Sequence, residues 1–255
     1  VSVPLTIRTE TQEFRDDASL DVETMVDTLR STKGRSYSAC PSVADWERAF
    51  GEDDDVLAFT ITSGLSGSFR AACAAKLNCE ENSPSRRICI IDSLSTGPEI
   101  VLLIEKAVSE LSAGADFDAV CRSVQDYQRR THLIFALESL HNLAQNGRVG
   151  KLAAAAAGML GIRAVGTTSD EGTLDLLGKC RGRKRAVDFL QEEMERLGYT
   201  GGCVRIGHCR NTDSAGELRT AILHRFPGAN IRIYPLRGLC SYYAECGGVL
   251  VGFEA

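Results

Sequence analysis

The chain has 255 residues, 44% of them hydrophobic and 25% charged, with a formal net charge of −5, which excludes an extended disordered protein and leaves room for two packed lobes or one large α/β domain. The acidic balance argues against a general nucleic-acid binder, whose affinity rests on neutralising phosphates. The longest apolar run, Leu152 to Ile162, is shorter than the roughly 18 residues a membrane span needs, so a soluble protein is expected.

Val1 to Arg8 alternates and reads as a strand, with Pro4 placing it at an edge or an end. Asp17 to Arg30 reads as an amphipathic helix with Leu20, Met25, Val26 and Leu29 on one side. Ser36 to Ser42 is a polar loop. It feeds a helix opened by Ser42 with Asp45 at capping-box spacing, and Trp46 and Phe50 give that helix its buried face. Val56 to Ile61 is a short apolar strand aimed at the turn Thr62-Ser63-Gly64-Leu65-Ser66-Gly67, and Phe69, Ala72 and Leu77 then follow helical spacing.

Arg87 to Asp92 is a second buried strand ending in Asp92-Ser93, and Pro98-Glu99 opens a helix to Leu111. A helix is expected over Asp116 to Arg129, a third strand over His132 to Leu137 and a short helix over Ser139 to Gln145. Strands alternating with helices predict a doubly wound, mostly parallel sheet, whose ligands sit beyond the carboxyl ends of the strands. Further on, Gly147-Arg148-Val149-Gly150 breaks the chain before an alanine-rich helix around Ala153 to Ala157. Ile162 to Thr168 and Leu174 to Leu177 form a hairpin across Asp170-Glu171-Gly172. A helix from Lys184 to Leu197, a strand from Cys203 to His208, a helix from Asp213 to Phe226 and strands at Ile231 to Tyr234 and Val249 to Phe253 complete a smaller α+β lobe. The expected fold class is α/β in two lobes, residues 1–157 carrying the head-group site and 158–255 closing a tunnel.

The chemistry points to the turn after the first buried strand. Hydroxyls, glycines and a helix N-terminus with free N–H groups make a site for a small anion, although Ser66 taken in isolation reads first as a plain helix cap. Other templates fail. Ser66 lies directly before Gly67 and so departs from Gly-x-Ser-x-Gly, Gly147 is too close to Gly150-Lys151 for a phosphate loop, and the four histidines and ten cysteines make no metal set. The cysteines, scattered from Cys40 to Cys246 without a Cys-x-x-Cys pair, read as reduced thiols of a cytoplasmic protein, and no targeting peptide is visible in the apolar run that begins with Val1. What remains is a hydroxyl-lined anion site beside an apolar interior, which suits an amphiphile with a carboxylate head.

Val3-Pro4-Leu5, the loop Ser38 to Ser42, Leu65 to Phe69, Ile90 to Ser93, Gly147-Arg148-Val149, Asp170 to Gly172, Lys179 to Lys184 and Gly207-His208 stand in the order and spacing of the DegV family. The chain resembles that family over nearly its whole length. The resemblance implies a bacterial fatty-acid-binding protein of two α/β lobes that presents a long-chain fatty acid to a fatty acid kinase partner, with no metal, no cofactor and no catalysis of its own. It places the carboxylate on Ser38, Ser66 and the Gly67 N–H, with Thr62, Ser63 and Ser93 as neighbouring candidates. The family's C-terminal His-x-Gly-x-Gly segment has no match, and Tyr243 is its expected replacement. Arg181, Arg183 and Lys184, in the basic run Lys179 to Arg185, are the expected partner-docking residues; such a run also reads as a solvated loop. The family's opening strand has no counterpart before Val1, so either a truncated chain or a differently built first lobe is expected. A serine-dependent esterase or acyl-transferring enzyme using Ser66 or Ser93 stands as the alternative function.

Overall fold

The computed structural model describes residues 1–32, 34–152 and 161–255. The alanine-rich helix expected around residues 153–157, and the lobe boundary expected at residue 158, lie outside the described residues.

Among the described residues, three sheets organise the chain. A small antiparallel sheet of order β2-β1-β3 joins β1 (Thr6–Arg8), β2 (Glu13–Arg15) and β3 (Tyr37–Ala39). The expected strand is thus confined to the end of the Val1 to Arg8 stretch, and the loop expected over Ser36 to Ser42 contains a strand. Between them runs α1 (Val22–Ser31), begun by the Asp21 side chain accepting from the Thr24 N–H. Ser42 and Asp45 form the expected capping box on α2 (Val43–Phe50), which buries Trp46 and Phe50.

A parallel pair, β4 (Asp55–Thr60) and β5 (Arg87–Asp92), lies in register from Asp55↔Arg87 to Thr60↔Asp92. One side of it packs with α2 and α3 (Ser68–Asn82) through Trp46, Phe50, Ala58, Ala72, Ala75 and Ile88. The other packs with α4 (Pro98–Ser112) and α5 (Phe117–Gln128) through Ile91, Leu102, Leu103, Val120, Val124 and Tyr127. Parallel strands with helices on both faces are the expected α/β arrangement.

The third expected strand of that sheet, β6 (Thr131–Leu137), pairs elsewhere. It joins the six-stranded sheet β10-β9-β11-β6-β7-β8, antiparallel to β7 (Ile162–Thr168) and β11 (Val249–Glu254). The sheet is completed by β8 (Leu174–Arg181), β9 (Cys203–His208) and β10 (Asn230–Pro235). Strand alternation sorts its two faces. Ile134 and Ala136 of β6 join Val249, Val251 and Phe253 of β11 against α7 (Arg183–Arg196) and α8 (Thr212–Arg225). Leu133, Phe135 and Leu137 face the opposite way, into a second core with Ile7, Met25, Leu143, Leu174, Leu239 and Leu250. Gly252 lets the start of α4 approach β11, since a Cβ there would lie 2.5 Å from the Glu99 nitrogen.

Two short helices border that second core: α6 (His141–Gln145) and α9 (Gly238–Ala244). Sequence periodicity does not reveal α9, because its N-terminus is held from a distance. Asp16 accepts from the Gly238 and Leu239 N–H groups at 2.9 and 2.8 Å. Among the described residues no helix is long and apolar enough to cross a membrane.

Candidate functional site

A cavity of about 300 Å³ opens inside the second core, at the lower end of the size range of small-molecule sites. Its apolar wall includes Leu5, Ile61, Leu65, Phe135, Leu137, Leu143, Leu174, Leu239 and Leu250. Polar lining comes from Ser38, Thr62, Ser66, Gly67, Thr96, Arg148 and Tyr243. These residues come from β3, the β4–α3 turn, the β5–α4 connection, the α6–β7 connection and α9, so the site exists only once the three sheets have assembled.

Five of the seven expected binding residues line this cavity: Ser38, Thr62, Ser66, Gly67 and Tyr243. Ser38 Oγ and Tyr243 OH are 2.7 Å apart. Whichever hydroxyl donates to the other, one proton remains for a ligand. Burial raises the Tyr243 pKa, against which the Ser38 hydrogen bond and the Arg148 charge act in the lowering direction. The phenol is therefore a neutral donor.

Ser66 and Gly67 sit at the start of α3. Ser66 Oγ accepts from the Ser68 N–H at 3.2 Å, which leaves its own proton available. Ser66 thus serves both as a cap and as a donor. The Gly67 N–H has no acceptor among the described residues, and Gly67 is the N-cap of a 15-residue helix whose dipole favours an anion there. A Cβ at Gly67 would lie 3.1 Å from Cys40 Sγ.

The other three hydroxyl residues of the two strand ends are built in differently. Thr62 lines the cavity, yet its hydroxyl donates to the Gly172 carbonyl at 2.9 Å and accepts from the Gly64 N–H at 3.0 Å. Ser63 does not line the cavity, and its N–H donates to Asp92 Oδ1 at 3.0 Å. Ser93 is 1% exposed, donates to the Ser95 carbonyl and accepts from the Ser95 N–H. Asp92 and Ser93 therefore brace the strand end beside the turn, and neither lines the cavity.

Arg148 is the residue that sequence reasoning passed over. It lines the cavity, donates from Nε to the Leu65 carbonyl at 3.3 Å and from Nη1 to the Asn146 carbonyl at 2.6 Å. A guanidinium has five N–H donors, so several stay free for a carboxylate. The available signal is Gly147-Arg148-Val149, which the sequence offers as a chain break and as one of the motifs of the family resemblance, with no binding role given to Arg148.

Behind Tyr243, the buried Tyr242 hydroxyl meets Ser36 Oγ at 2.9 Å and accepts from Asn146 Nδ2 at 2.8 Å. The two tyrosine rings pack edge to face with centroids 4.7 Å apart. This network ties α9 to the stretch before β3 and to the end of α6. It fixes the Tyr243 side of the site.

None of the four histidines lines the cavity, and no group of residues able to hold a metal ion is found among the described residues. All ten cysteines are free thiols, from buried Cys209 to exposed Cys40. The expected docking residues lie elsewhere, and the basic run is not a loop. Lys179 to Arg181 ends β8, while Arg183 and Lys184 begin α7. Arg183 pairs with Asp213 and Glu217 at 2.7 and 2.9 Å. Arg181 and Lys184 are exposed, with no ion pair among the described residues.

The model of the DegV family, described as an uncharacterised protein family, matches residues 1–254. A DegV domain-containing protein of Streptococcus pneumoniae is 44% identical over 254 residues, covering 100% of this chain and 90% of its own length. The fold superposes on a crystal structure of the Streptococcus pneumoniae fatty acid kinase (Fak) B3 protein loaded with linoleic acid, with a TM-score of 0.97, 44% identity and coverage of 100% of this chain and 90% of that one. It is similar also to a DegV family protein from Eubacterium eligens loaded with heptadecanoic acid, with a TM-score of 0.95, 43% identity and coverage of 99% and 92%.

Proposed function

The chain belongs to the DegV family, and from that premise we propose that it is a fatty-acid-binding protein that holds a long-chain acid in the cavity and presents the carboxylate to a kinase for acyl-phosphate formation. The observation that carries this reading is the cavity itself: one apolar chamber with the Ser38–Tyr243 pair, Ser66, the Gly67 N–H and Arg148 in its lining. Those groups match a carboxylate, and hydrogen bonds to a charged group contribute about 1.5–3 kcal/mol each. The apolar wall accepts the tail at about 0.8 kcal/mol per methylene.

The protein acts as a carrier, and the phosphoryl transfer belongs to its partner. Ser66 has no histidine beside it in the cavity wall, so the general base that an esterase needs is missing from the site. Arg181, Arg183 and Lys184 form the docking face for the kinase. Leu174 to Arg181 spans seven strand rises, roughly 23 Å, so this face meets the body of a partner protein, and the phosphates of a nucleotide are delivered at the cavity. The protein works in the cytoplasm, where the nucleotide-using partner and reduced thiols are found.

Mass spectrometry of an organic extract of the purified protein tests the reading. A stoichiometric long-chain fatty acid is the expected result. An empty extract, with no thermal shift on adding palmitate or oleate, would overturn it.

A further inference from the structure

Thr62 faces the cavity but has nothing left to give a ligand. It is 0% exposed, and a hydroxyl has one proton. That proton goes to the Gly172 carbonyl at 2.9 Å, and the oxygen accepts the Gly64 N–H at 3.0 Å. The backbone is engaged as well. The Thr62 N–H donates to the Ser95 carbonyl at 2.8 Å, and the Thr62 carbonyl accepts from Leu65 and Ser66 at 3.3 and 3.2 Å. Ser66, the head-group donor, is thus held directly by Thr62.

The opposing surface is the tip of the β7–β8 hairpin, and the two fit without space for a side chain. A Cβ at Gly172 would lie 1.9 Å from Thr62 Oγ1, and one at Gly64 would lie 2.8 Å from the carbonyl oxygens of Glu171 and Gly172. Gly172 also has φ +72, a conformation that favours glycine. Its own turn is closed by the Gly172 N–H donating to the Ser169 carbonyl at 2.8 Å. Two loops 110 residues apart therefore meet through one hydroxyl.

We infer that Thr62 is a positioning residue, and that its contact with Gly172 clamps the β4–α3 turn so that Ser66 and Gly67 point their donors at a carboxylate. Preference for an acid over a neutral head group on the same chain depends on this clamp. The inference rests on the fatty-acid-binding reading.

The test compares oleic acid with oleyl alcohol, which share a tail and differ in the head. Thr62→Val keeps the shape of the side chain and removes both hydrogen bonds. The expected result is oleic acid binding weakened about tenfold or more, oleyl alcohol binding nearly unchanged, and Thr62→Ser restoring the acid preference. A purely structural role would lower melting temperature and weaken both ligands alike; that result, or an unchanged acid-to-alcohol ratio in a folded Thr62→Val protein, overturns the inference. Gly172→Ala attacks the same contact from the other side and carries the test if Thr62→Val does not fold, with the same ratio as readout. Wild-type protein that binds neither ligand would instead remove the fatty-acid reading itself.

Discussion

Ser38 on β3 and Tyr243 on α9, 205 positions apart in sequence, place their hydroxyl oxygens 2.7 Å from each other in the wall of the cavity. Because the pair has one proton free for a ligand, the two residues act as a single donor. Ser38→Ala and Tyr243→Phe are each expected to weaken oleate binding by about tenfold to a hundredfold, the range of one charge-assisted hydrogen bond. The double variant should be little worse than the weaker single one, since the effects of groups acting as a unit do not add. Calorimetric titration of the four proteins checks this, and strict additivity would separate the two roles.

Tyr243 also sets the pH response. Burial raises the phenol pKa, so the residue stays neutral and the affinity for a carboxylate should be flat between about pH 6 and 8. Tyr243→His introduces a group that is cationic below about pH 6.5 and neutral above it. The affinity of this variant for oleate is expected to rise as pH falls through that value and to level off on the alkaline side. Binding measured across the range in both proteins distinguishes the two profiles.

Arg148 brings the positive charge to the site. Arg148→Gln should weaken fatty acid binding by about tenfold to a hundredfold, with little effect on the matching fatty alcohol. Arg148→Lys keeps the charge and loses the planar fork, so it should recover only part of the affinity. Equal losses for acid and alcohol would assign Arg148 to the packing of Leu65 and Asn146, whose carbonyls it bonds.

Tail burial predicts a slope. Each added methylene should tighten binding about fourfold, from about 0.8 kcal/mol per group, until the cavity is full. Leu250 on β11 lines the cavity and is 6% exposed. Leu250→Trp should move the end of that slope to shorter acids at a cost in folding of about 1–3 kcal/mol. Affinities over a series of saturated acids, read beside melting temperatures, check both parts.

Glu99, in the first turn of α4, is 4% exposed and accepts from Thr131 Oγ1 at 2.8 Å. Burial raises its pKa in the folded protein. A carboxyl whose folded pKa is raised favours the folded state most below its unfolded value, about pH 4.5. Stability is then lost as pH rises through the folded pKa. Glu99→Gln keeps an acceptor for Thr131 and removes the ionisation. It should equal wild type in acid and exceed it at neutral pH, as denaturant midpoints across the range would show.

Much of the architecture was legible because its causes are local. The capping box of Ser42 and Asp45, the apolar runs of β4 and β5, the proline-led start of α4 and the hydroxyl-rich turn before α3 are each specified within a few residues of sequence. The ordered motifs sufficed to place the chain in its family. What the sequence could not decide were pairings made across the chain. β6 follows two parallel elements yet joins an antiparallel sheet, because its partners β7 and β11 lie downstream and the last is 112 positions or more away. The helix α9 lacks a local cap, since Asp16 supplies it from 222 positions upstream. In the same way the hydroxyls at the ends of β4 and β5 read in sequence as one set of head-group donors. Only the folded protein divides it, directing the Thr62 proton to Gly172 and the Ser93 proton to Ser95 while leaving that of Ser66 free. A hydroxyl has a single proton, and tertiary contacts determine which acceptor receives it.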